Sequence, residues 1–215
     1  MNPTKYEKPK TTKPPVILFP RKLFVMDIET KPQDDLVETF PIKGRANLKD
    51  PEKIKLDIEE KEKGRHKKMS TDPDYADIIC IGIKQVGEEG KLYKLEDMEE
   101  WFKANSNFEF ITYNGKKFDI PLLIFQGIKN KLNFPYRKLA DMCKRWKING
   151  HYDLMEIHSE LSGEWKSKDL LCKIYLGETP YKVDYAISTD EEIGKRCLSD
   201  LKFQEELYNK FNVII

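Results

Sequence analysis

Apolar residues occur along this chain either in short continuous runs or at helical spacing. The continuous runs predict buried strands at residues 23–29, 78–86 and 108–113, and a hairpin loop at residues 87–90 predicts a returning strand at 91–95. Helical spacing predicts helices at residues 96–105, 118–128, 154–161 and 168–176, and a capping box at 188–191 begins one that runs to about residue 211. Because a hairpin comes first and strands then alternate with helices, we predict a mixed α/β domain.

Two segments lack this periodicity. Residues 1–22 are rich in proline and carry six basic side chains against one acidic one, which predicts a mobile basic arm. Such an arm either solubilises the chain or contacts nucleic acid. Residues 31–77 are charged and contain few large apolar residues, so we interpret them as an insertion, with a short helix near 51–63, inside a single domain of residues 23–215.

Composition narrows the class of protein. The 215 residues are 39% hydrophobic and 35% charged, with a net charge of +1, which is typical of a globular protein able to bury a core. Since there is no apolar run of about 20 residues and no signal-peptide segment, we expect no membrane association and a cytoplasmic location, or the host cytoplasm for a viral protein. The scattered cysteines Cys80, Cys143, Cys172 and Cys197 predict reduced thiols rather than disulfides or a zinc site.

Two carboxylates stand in the first predicted strand. Asp27 and Glu29 are two residues apart, so their side chains leave the same face, about 6.6 Å apart along the chain. Phe24, Met26 and Ile28 face the other way. Two carboxylates on one face of a buried strand repel each other and lose hydration, and a divalent cation is the usual remedy. A solvent-exposed strand end is the alternative.

Two further acidic residues occur in apolar surroundings. Asp119 follows Asn114 and Gly115 at a strand-to-helix junction, where a helix N-cap is the simpler interpretation. Asp200 lies on the apolar stripe of the last helix, seven residues after Ile193 and three after Cys197. A carboxylate held on the inner face of a helix needs a cation or a hydrogen-bond donor.

The order DIET, YNGKKFDIPLL and a late inward Asp resembles the three exonuclease motifs of the DEDD superfamily of 3′–5′ exonucleases. Within it, the chain is similar to the exonuclease domain of family B DNA polymerases and related stand-alone exonucleases. The resemblance covers roughly residues 23–211. It implies a ribonuclease H-like fold, in which helices flank a central mixed sheet.

The resemblance also implies a chemistry. Asp27, Glu29, Asp119 and Asp200 would be the catalytic ligands of two Mg²⁺ or Mn²⁺ ions that hydrolyse single-stranded DNA from its 3′ end and release nucleoside 5′-monophosphates. Asp27 would bridge the ions, Glu29 and Asp200 would hold the one beside the attacking water, and Asp119 would support the other. Single-stranded nucleic acid, DNA before RNA, is the expected partner, and replication or repair proteins are further candidates.

Substrate contacts are expected from the motifs and from a basic segment. The motif residues are Thr30, Asn114, Gly115 and Phe118, with Asn114 orienting the strand end. Residues 129–147 carry seven basic side chains against one acidic one, and from them we select Arg137 and Lys138 as phosphate contacts; a solvated surface is the alternative.

One position departs from the family pattern. The family places a Tyr four residues, or a His five residues, before the last Asp, whereas this chain has Arg196 and Lys195. An Arg cannot act as a general base, although it can stabilise charge on a phosphate, and we therefore include Arg196 among the catalytic residues. Tyr181 or Tyr185 is a candidate replacement. The alternatives are a catalytically weak or silent nucleic-acid-binding module with this fold, and an exoribonuclease.

The remaining polar candidates receive structural roles. His66, His151 and His158 have no metal-ligand spacing, so we interpret them as structural or surface residues. Asp153 is expected to pair with a backbone or basic group beneath the site.

Overall fold

Five strands form one mixed sheet. The computed structural model describes residues 21–185 and 187–213. Its strands are β1 (Lys22–Pro32), β2 (Ala76–Gln85), β3 (Lys91–Tyr93), β4 (Phe108–Thr112) and β5 (His151–Asp153). Their order is β3-β2-β1-β4-β5, with β1–β2 and β2–β3 antiparallel and β1–β4 and β4–β5 parallel. The predicted strands at 23–29, 78–86, 91–95 and 108–113 are confirmed.

Helices cover both faces of the sheet. They are α1 (Pro51–Lys63), α2 (Arg65–Met69), α3 (Met98–Ala104), α4 (Asp119–Lys129), α5 (Tyr136–Met142), α6 (Leu154–Ser162), α7 (Lys168–Leu176) and α8 (Asp190–Phe211), with a 3-10 helix at Asp34–Thr39. Thr189 and Glu192 complete the reciprocal capping box that begins α8. This is the α/β, ribonuclease H-like architecture that the motifs predict.

The alternation of side chains in β1 separates two cores. Phe24, Met26 and Ile28 pack with apolar residues of α3, α4 and α5. Val25 faces the opposite side and packs with residues of α6, α7 and α8, among them Leu201. Asp27 and Glu29 share the face of Val25, because strand side chains repeat every two residues. The sequence therefore directs both carboxylates toward α8.

Close contact between α8 and the sheet depends on a glycine. A Cβ atom at Gly82 of β2 would lie 2.6 Å from the Cys197 Sγ and 3.1 Å from Leu201. Any side chain at this position would push α8 away from β2. Gly82 is paired with Asp27 across the two strands, so the approach is closest beside the first carboxylate.

Several elements were not predicted. The 3-10 helix and α2 are two of them, and they lie in the charged segment 31–77. The helix that was predicted there, near 51–63, is α1. Helix α5 lies inside the basic segment, and β5 is only three residues long, too short for a period-two pattern to be recognised. The predicted basic arm lies outside the described residues except for Arg21 and Lys22. Within the described ranges, no helix is long and apolar enough to cross a membrane.

We predict that Gly82→Ala destabilises the fold by about 1–3 kcal/mol, because the added methyl group overpacks the contact with Cys197. Urea denaturation followed by circular dichroism measures the change. Gly64→Ala is the matched control, since a Cβ there meets no atom closer than 3.7 Å, and its midpoint should stay near that of the wild type. Equal midpoints for both variants would contradict the close packing of α8.

Candidate active site

Asp27 and Glu29 lie at the carboxyl end of β1, beneath α8. Both are largely buried, with 9% and 6% of their surface exposed. The register of the pairing with β2 shifts between Glu29 and Thr30, directly after the second carboxylate, and the pairing then continues to Pro32. The two carboxylates are buried on the same face of β1, two residues apart, and form the acidic cluster that their spacing predicts.

Asp119 reaches the same place from the other side of the sheet. The parallel pairing of β1 with β4 ends at Val25, and farther along β1 the Ile28 N–H donates to the Asp119 Oδ1 at 3.1 Å. Asp119 is the first residue of α4, and its carboxylate does not cap that helix. The simpler N-cap interpretation is therefore wrong, because the carboxylate satisfies a strand N–H beside Asp27 instead.

A tight loop between β4 and α4 carries Asn114. Asn114 has a left-handed φ of 65°, and Gly115 follows with its N–H donating to the Thr112 Oγ1 at 3.1 Å. A Cβ at Gly115 would lie 2.2 Å from that same oxygen, so only glycine fits. His151, fully buried, lies 2.8 Å from Thr112 through its Nε2. Burial lowers the pKa of His151 to about 3, so the ring stays neutral.

Asp153 fixes the loop from below. Its Oδ1 accepts the Asn114 N–H at 3.0 Å and the Met155 N–H at 3.1 Å, and its Oδ2 accepts the Lys116 N–H at 3.0 Å. It is also the N-cap of α6. Asp153 thus pairs with backbone groups beneath the site, as expected from the sequence.

Asp200 lies on the inner face of α8 and meets two cations. The Lys168 Nζ lies 2.8 Å from the Asp200 Oδ2 and 3.2 Å from the Asp27 Oδ1, so one ammonium joins the two carboxylates. The Arg196 Nε donates to the same Asp200 oxygen at 2.8 Å. Although burial alone would lower the pKa of Lys168, the carboxylates outweigh it and raise that pKa, so the ammonium stays charged.

Two more residues of α8 contact Asp27. The Gln204 Nε2 donates to the Asp27 Oδ1 at 2.6 Å. The Cys197 thiol lies 3.6 Å from the backbone oxygen of Asp27 and donates to it. A hydrogen bond with Cys80, together with burial, raises the pKa of Cys197, so this thiol remains protonated.

Tyr185 contacts Glu29 from the segment before α8. Its hydroxyl donates to the Glu29 Oε2 at 2.6 Å, while its ring is 46% exposed. Of the two tyrosines suggested by sequence as replacements for the family's missing Tyr, Tyr185 is therefore the one that contacts the site carboxylates. Tyr181 is 52% exposed, and its backbone N–H contacts Ser199.

Crowding raises the pKa values of three carboxylic acids. Burial, with repulsion from Asp27, raises the pKa of Glu29 to about 7. Burial and Asp27 also raise the pKa of Asp119 well above its usual range. Burial raises the pKa of Asp200 as well, although Lys168 and Arg196 act against it. Burial disfavours the charged form of each carboxylic acid, and repulsion from Asp27 adds to this effect.

The residues fit a hard divalent cation. Among the described residues, the buried oxygens Glu29 Oε1, Asp200 Oδ1 and Gln204 Oε1 have no hydrogen-bond partner. Ligand atoms of Asp27, Glu29 and Cys197 lie within 4.8 Å of one another. Carboxylate and amide oxygens suit Mg²⁺ and Mn²⁺, whereas the protonated Cys197 thiol does not serve as a ligand.

Three of the residues expected to bind substrate, Asn114, Gly115 and Phe118, lie in the connection between β4 and α4. Asn114 and Gly115 form the loop above Asp153, and Phe118 is half-buried against the core of α3, α4 and α5. Thr30 donates through its hydroxyl to the Ser70 backbone oxygen at 2.5 Å, which ties β1 to the segment after α2.

Arg137 and Lys138 are not brought to the carboxylates. The Lys138 Nζ donates to the Ser106 backbone oxygen at 3.1 Å and lies 3.6 Å from the centre of the Phe108 ring. These contacts lie at the amino end of β4, whereas Asn114 follows its carboxyl end. Arg137 and Lys138 line an open groove of about 970 Å³. Lys138 therefore lies at the end of β4 opposite the carboxylates, whereas Lys129, the first residue of the basic segment, contacts Gln33 just beyond β1.

Sequence reasoning missed Lys168 and Gln204. Gln204 lies four residues after Asp200 on the apolar stripe of α8, and a polar residue on that stripe was a usable signal. Lys168 occupies the first turn of α7, where the helix dipole disfavours a cation. A lysine in the first turn of a helix is only a weak signal of a functional role. The fold alone shows that the carboxylates of Asp27 and Asp200 balance the charge of Lys168.

No protein-family model and no curated protein matches the chain. Its structure is similar to that of the family B DNA polymerase from the hyperthermophilic archaeon Pyrobaculum calidifontis, with a TM-score of 0.54 and 13% sequence identity. The match covers 94% of this chain and 25% of the polymerase, so this chain spans about a quarter of that protein's length. At this identity the likeness shows the fold alone.

We predict that Glu29→Gln changes the pH dependence of stability in EDTA. With a pKa of about 7 in the folded protein against 4.5 in the unfolded chain, Glu29 holds a proton in the folded state that the unfolded chain loses. Wild-type stability therefore falls as pH rises between these values, by about 2–4 kcal/mol at most. Glu29→Gln removes this fall, so its advantage in melting temperature over the wild type should grow from pH 5 to pH 8.

The exposed Glu160→Gln on α6 is the matched control and should keep the wild-type profile. Thermal melts across the pH range, read by circular dichroism, provide the comparison. If the melting temperatures of Glu29→Gln and the wild type change with pH in parallel, the pKa of Glu29 is not raised in the folded protein.

Proposed function

We propose that this protein is a metal-dependent 3′–5′ exonuclease that hydrolyses single-stranded DNA. The observation that carries the proposal is the convergence of Asp27, Glu29, Asp119 and Asp200 from β1, α4 and α8 at one end of the sheet. Buried carboxylates of this number destabilise a fold unless cations compensate them. The 3′ polarity and the preference for DNA rest on the family resemblance of the motifs.

Asp27, Glu29, Asp119 and Asp200 would hold two Mg²⁺ or Mn²⁺ ions, with Gln204 as a neutral neighbour. When bound, such ions supply an activated water and stabilise the leaving 3′ oxygen. Asp119 is fixed by the Ile28 N–H, and Asp200 by Arg196, so these two carboxylates are already oriented. Cation binding would also relieve the repulsion that raises the pKa values of the carboxylic acids.

Tyr185 is positioned to orient the attacking water. Its hydroxyl already contacts Glu29, and its exposed ring places it at the solvent side of the carboxylates. It would take the role that the family assigns to a Tyr within the last helix. Arg196 then has a different task, since its guanidinium holds Asp200 and remains close to any phosphate bound there.

Lys168 favours a second candidate function. Its ammonium bridges Asp27 and Asp200 and, with Arg196, offsets two of the four carboxylate charges. A site balanced in this way could persist without cations, as in a catalytically silent nucleic-acid-binding module. In the exonuclease, Lys168 would offset part of the carboxylate charge beside the reacting phosphate.

The deciding experiment is incubation with 3′- and 5′-labelled single strands of DNA and RNA, in Mg²⁺ and then in EDTA. We expect stepwise shortening from the 3′ end in Mg²⁺, release of 5′-monophosphates, and none of either in EDTA. Asp27→Asn should abolish cleavage, while the exposed control Asp35→Asn in the 3-10 helix should cleave like the wild type. Mn²⁺ should also raise the melting temperature of the wild type and not that of Asp27→Asn.

Each outcome has one meaning. Strand binding without cleavage in Mg²⁺ or in Mn²⁺ identifies the silent module. Faster shortening of the RNA strand than of the DNA strand identifies an exoribonuclease. Cleavage that persists in Asp27→Asn would overturn the assignment of the carboxylates.

We predict that Tyr185→Phe lowers the single-turnover cleavage rate by about 10²-fold, because the ring remains while the hydroxyl that orients the water is lost. Tyr181→Phe is the matched control, four residues earlier and similarly exposed, and should retain the wild-type rate. Rates at saturating Mg²⁺ make the comparison. Equal rates for the two variants would remove Tyr185 from the mechanism.

A further inference from the structure

Two tryptophans remain exposed beside the candidate active site. Trp146 and Trp165 are 52% and 48% exposed, and their ring centres lie 6.1 Å apart at an interplanar angle of 48°. The Arg145 guanidinium lies 5.8 Å from the first ring and 5.4 Å from the second. Tryptophan is buried in most proteins, and paired exposed indoles indicate a binding surface.

Both tryptophans are tied to the loop that carries Asn114. The Lys166 backbone oxygen, next to Trp165, accepts the Tyr113 hydroxyl at 2.6 Å. The Lys147 backbone oxygen, next to Trp146, accepts the Lys116 Nζ at 2.9 Å. Lys116 is itself buried and paired with Glu156, so this connection is fixed.

The same segment leads to the carboxylates. Trp165 precedes Lys168 by three residues, which span at most about 11 Å, and Lys168 contacts Asp27 and Asp200. Trp146 has a left-handed φ of 59°, a strained conformation for a bulky residue. The indoles therefore lie within a few nucleotides of the carboxylates.

Basic residues continue from the tryptophans on the far side. Lys144 and Lys147, which flank Arg145 and Trp146, line the groove of about 970 Å³ that also contains Arg137. One path thus runs from the negative site, across two indoles and an arginine, into a positive groove. Alternating aromatic and basic side chains are the chemistry that holds a single nucleic-acid strand.

We propose that Trp146, Trp165 and Arg145 form a stacking platform for the bases of a single strand whose 3′ end lies at the carboxylates. The strand's phosphates continue into the groove lined by Lys144 and Lys147. This inference rests on the proposed function for the polarity of the strand, but stacking itself needs neither cations nor cleavage. It also gives Arg137 a role, as a phosphate contact distant from the reacting bond.

The test is binding in EDTA, where no cleavage competes. An oligothymidylate strand and an abasic strand of equal length are titrated against the protein, with anisotropy of the labelled strand as readout. The wild type should prefer the thymidylate strand, and its tryptophan fluorescence should be quenched, with the buried Trp101 as unquenched background. Trp146→Ala with Trp165→Ala should lose about tenfold in affinity for each indole and should bind both strands equally.

Two variants guard the interpretation. Trp146→Phe with Trp165→Phe keeps an aromatic ring at each position and should retain most of the preference for bases. Phe125→Ala removes a 44% exposed ring from α4, on the other side of the sheet, and should bind like the wild type. Melting temperatures show that each variant is folded.

The outcomes separate the platform from the exonuclease. A double alanine variant that keeps wild-type affinity for both strands overturns the platform, even where cleavage proceeds. A wild type that prefers bases but never cleaves upholds the platform and removes the exonuclease. A wild type that binds neither strand overturns the platform, and loss of self-association in the alanine variant would then identify this face as an interface between copies of the chain.

Discussion

Burial of like charges between the sheet and α8 is the constraint on which this structure depends. The period-two geometry of β1 directs Asp27 and Glu29 toward the helix, and Gly82 allows that helix to approach closely enough to bury both side chains. Each carboxylate then needs a donor or a cation. Lys168, Gln204, Tyr185 and the Ile28 N–H meet that need from four different segments. Burial still raises the pKa values of Glu29, Asp119 and Asp200, and the unpartnered oxygens of Glu29, Asp200 and Gln204 fit a divalent cation.

A second, neutral network supports the first. The Met142 oxygen, the His151 ring, the Thr112 hydroxyl and the Gly115 N–H form one hydrogen-bond chain beneath the loop. Because burial lowers the pKa of His151 to about 3, this chain keeps its protonation state over the range in which Glu29 titrates. This neutral chain beneath the loop does not respond to pH in that range, whereas Glu29 does. Asp153 holds the same loop through the Asn114 and Lys116 N–H groups, and burial raises its pKa.

In the proposed exonuclease, the charge distribution would separate two tasks, strand binding and cleavage. A cluster of carboxylates repels a polyanion, so affinity for a strand has to come from elsewhere on the surface. Lys138 of the basic groove lies at the amino end of β4, and Trp146 and Trp165 adjoin residues that contact the loop after the carboxyl end of β4. Stacking on indoles is independent of base sequence. Such an arrangement suits a protein that removes nucleotides one after another, whatever their order.

The sequence by itself determined four of the five strands, most helices and the inward placement of Asp27, Glu29 and Asp200, because each follows from a local pattern: period two in β1, a helical stripe around Asp200, a capping box before α8. Asp119 came only from the motif resemblance, since its local pattern favoured a helix N-cap. The sequence did not determine what surrounds these carboxylates. Lys168 lies 141 residues from Asp27 and Tyr185 lies 156 residues from Glu29, and no local pattern reports such pairs. Tertiary structure also decided that Asp119 binds a strand N–H rather than its own helix, and that Lys138 lies at the opposite end of β4. Tertiary packing brings these groups together, and the local periodicity of the sequence does not predict contacts between residues so far apart in the chain.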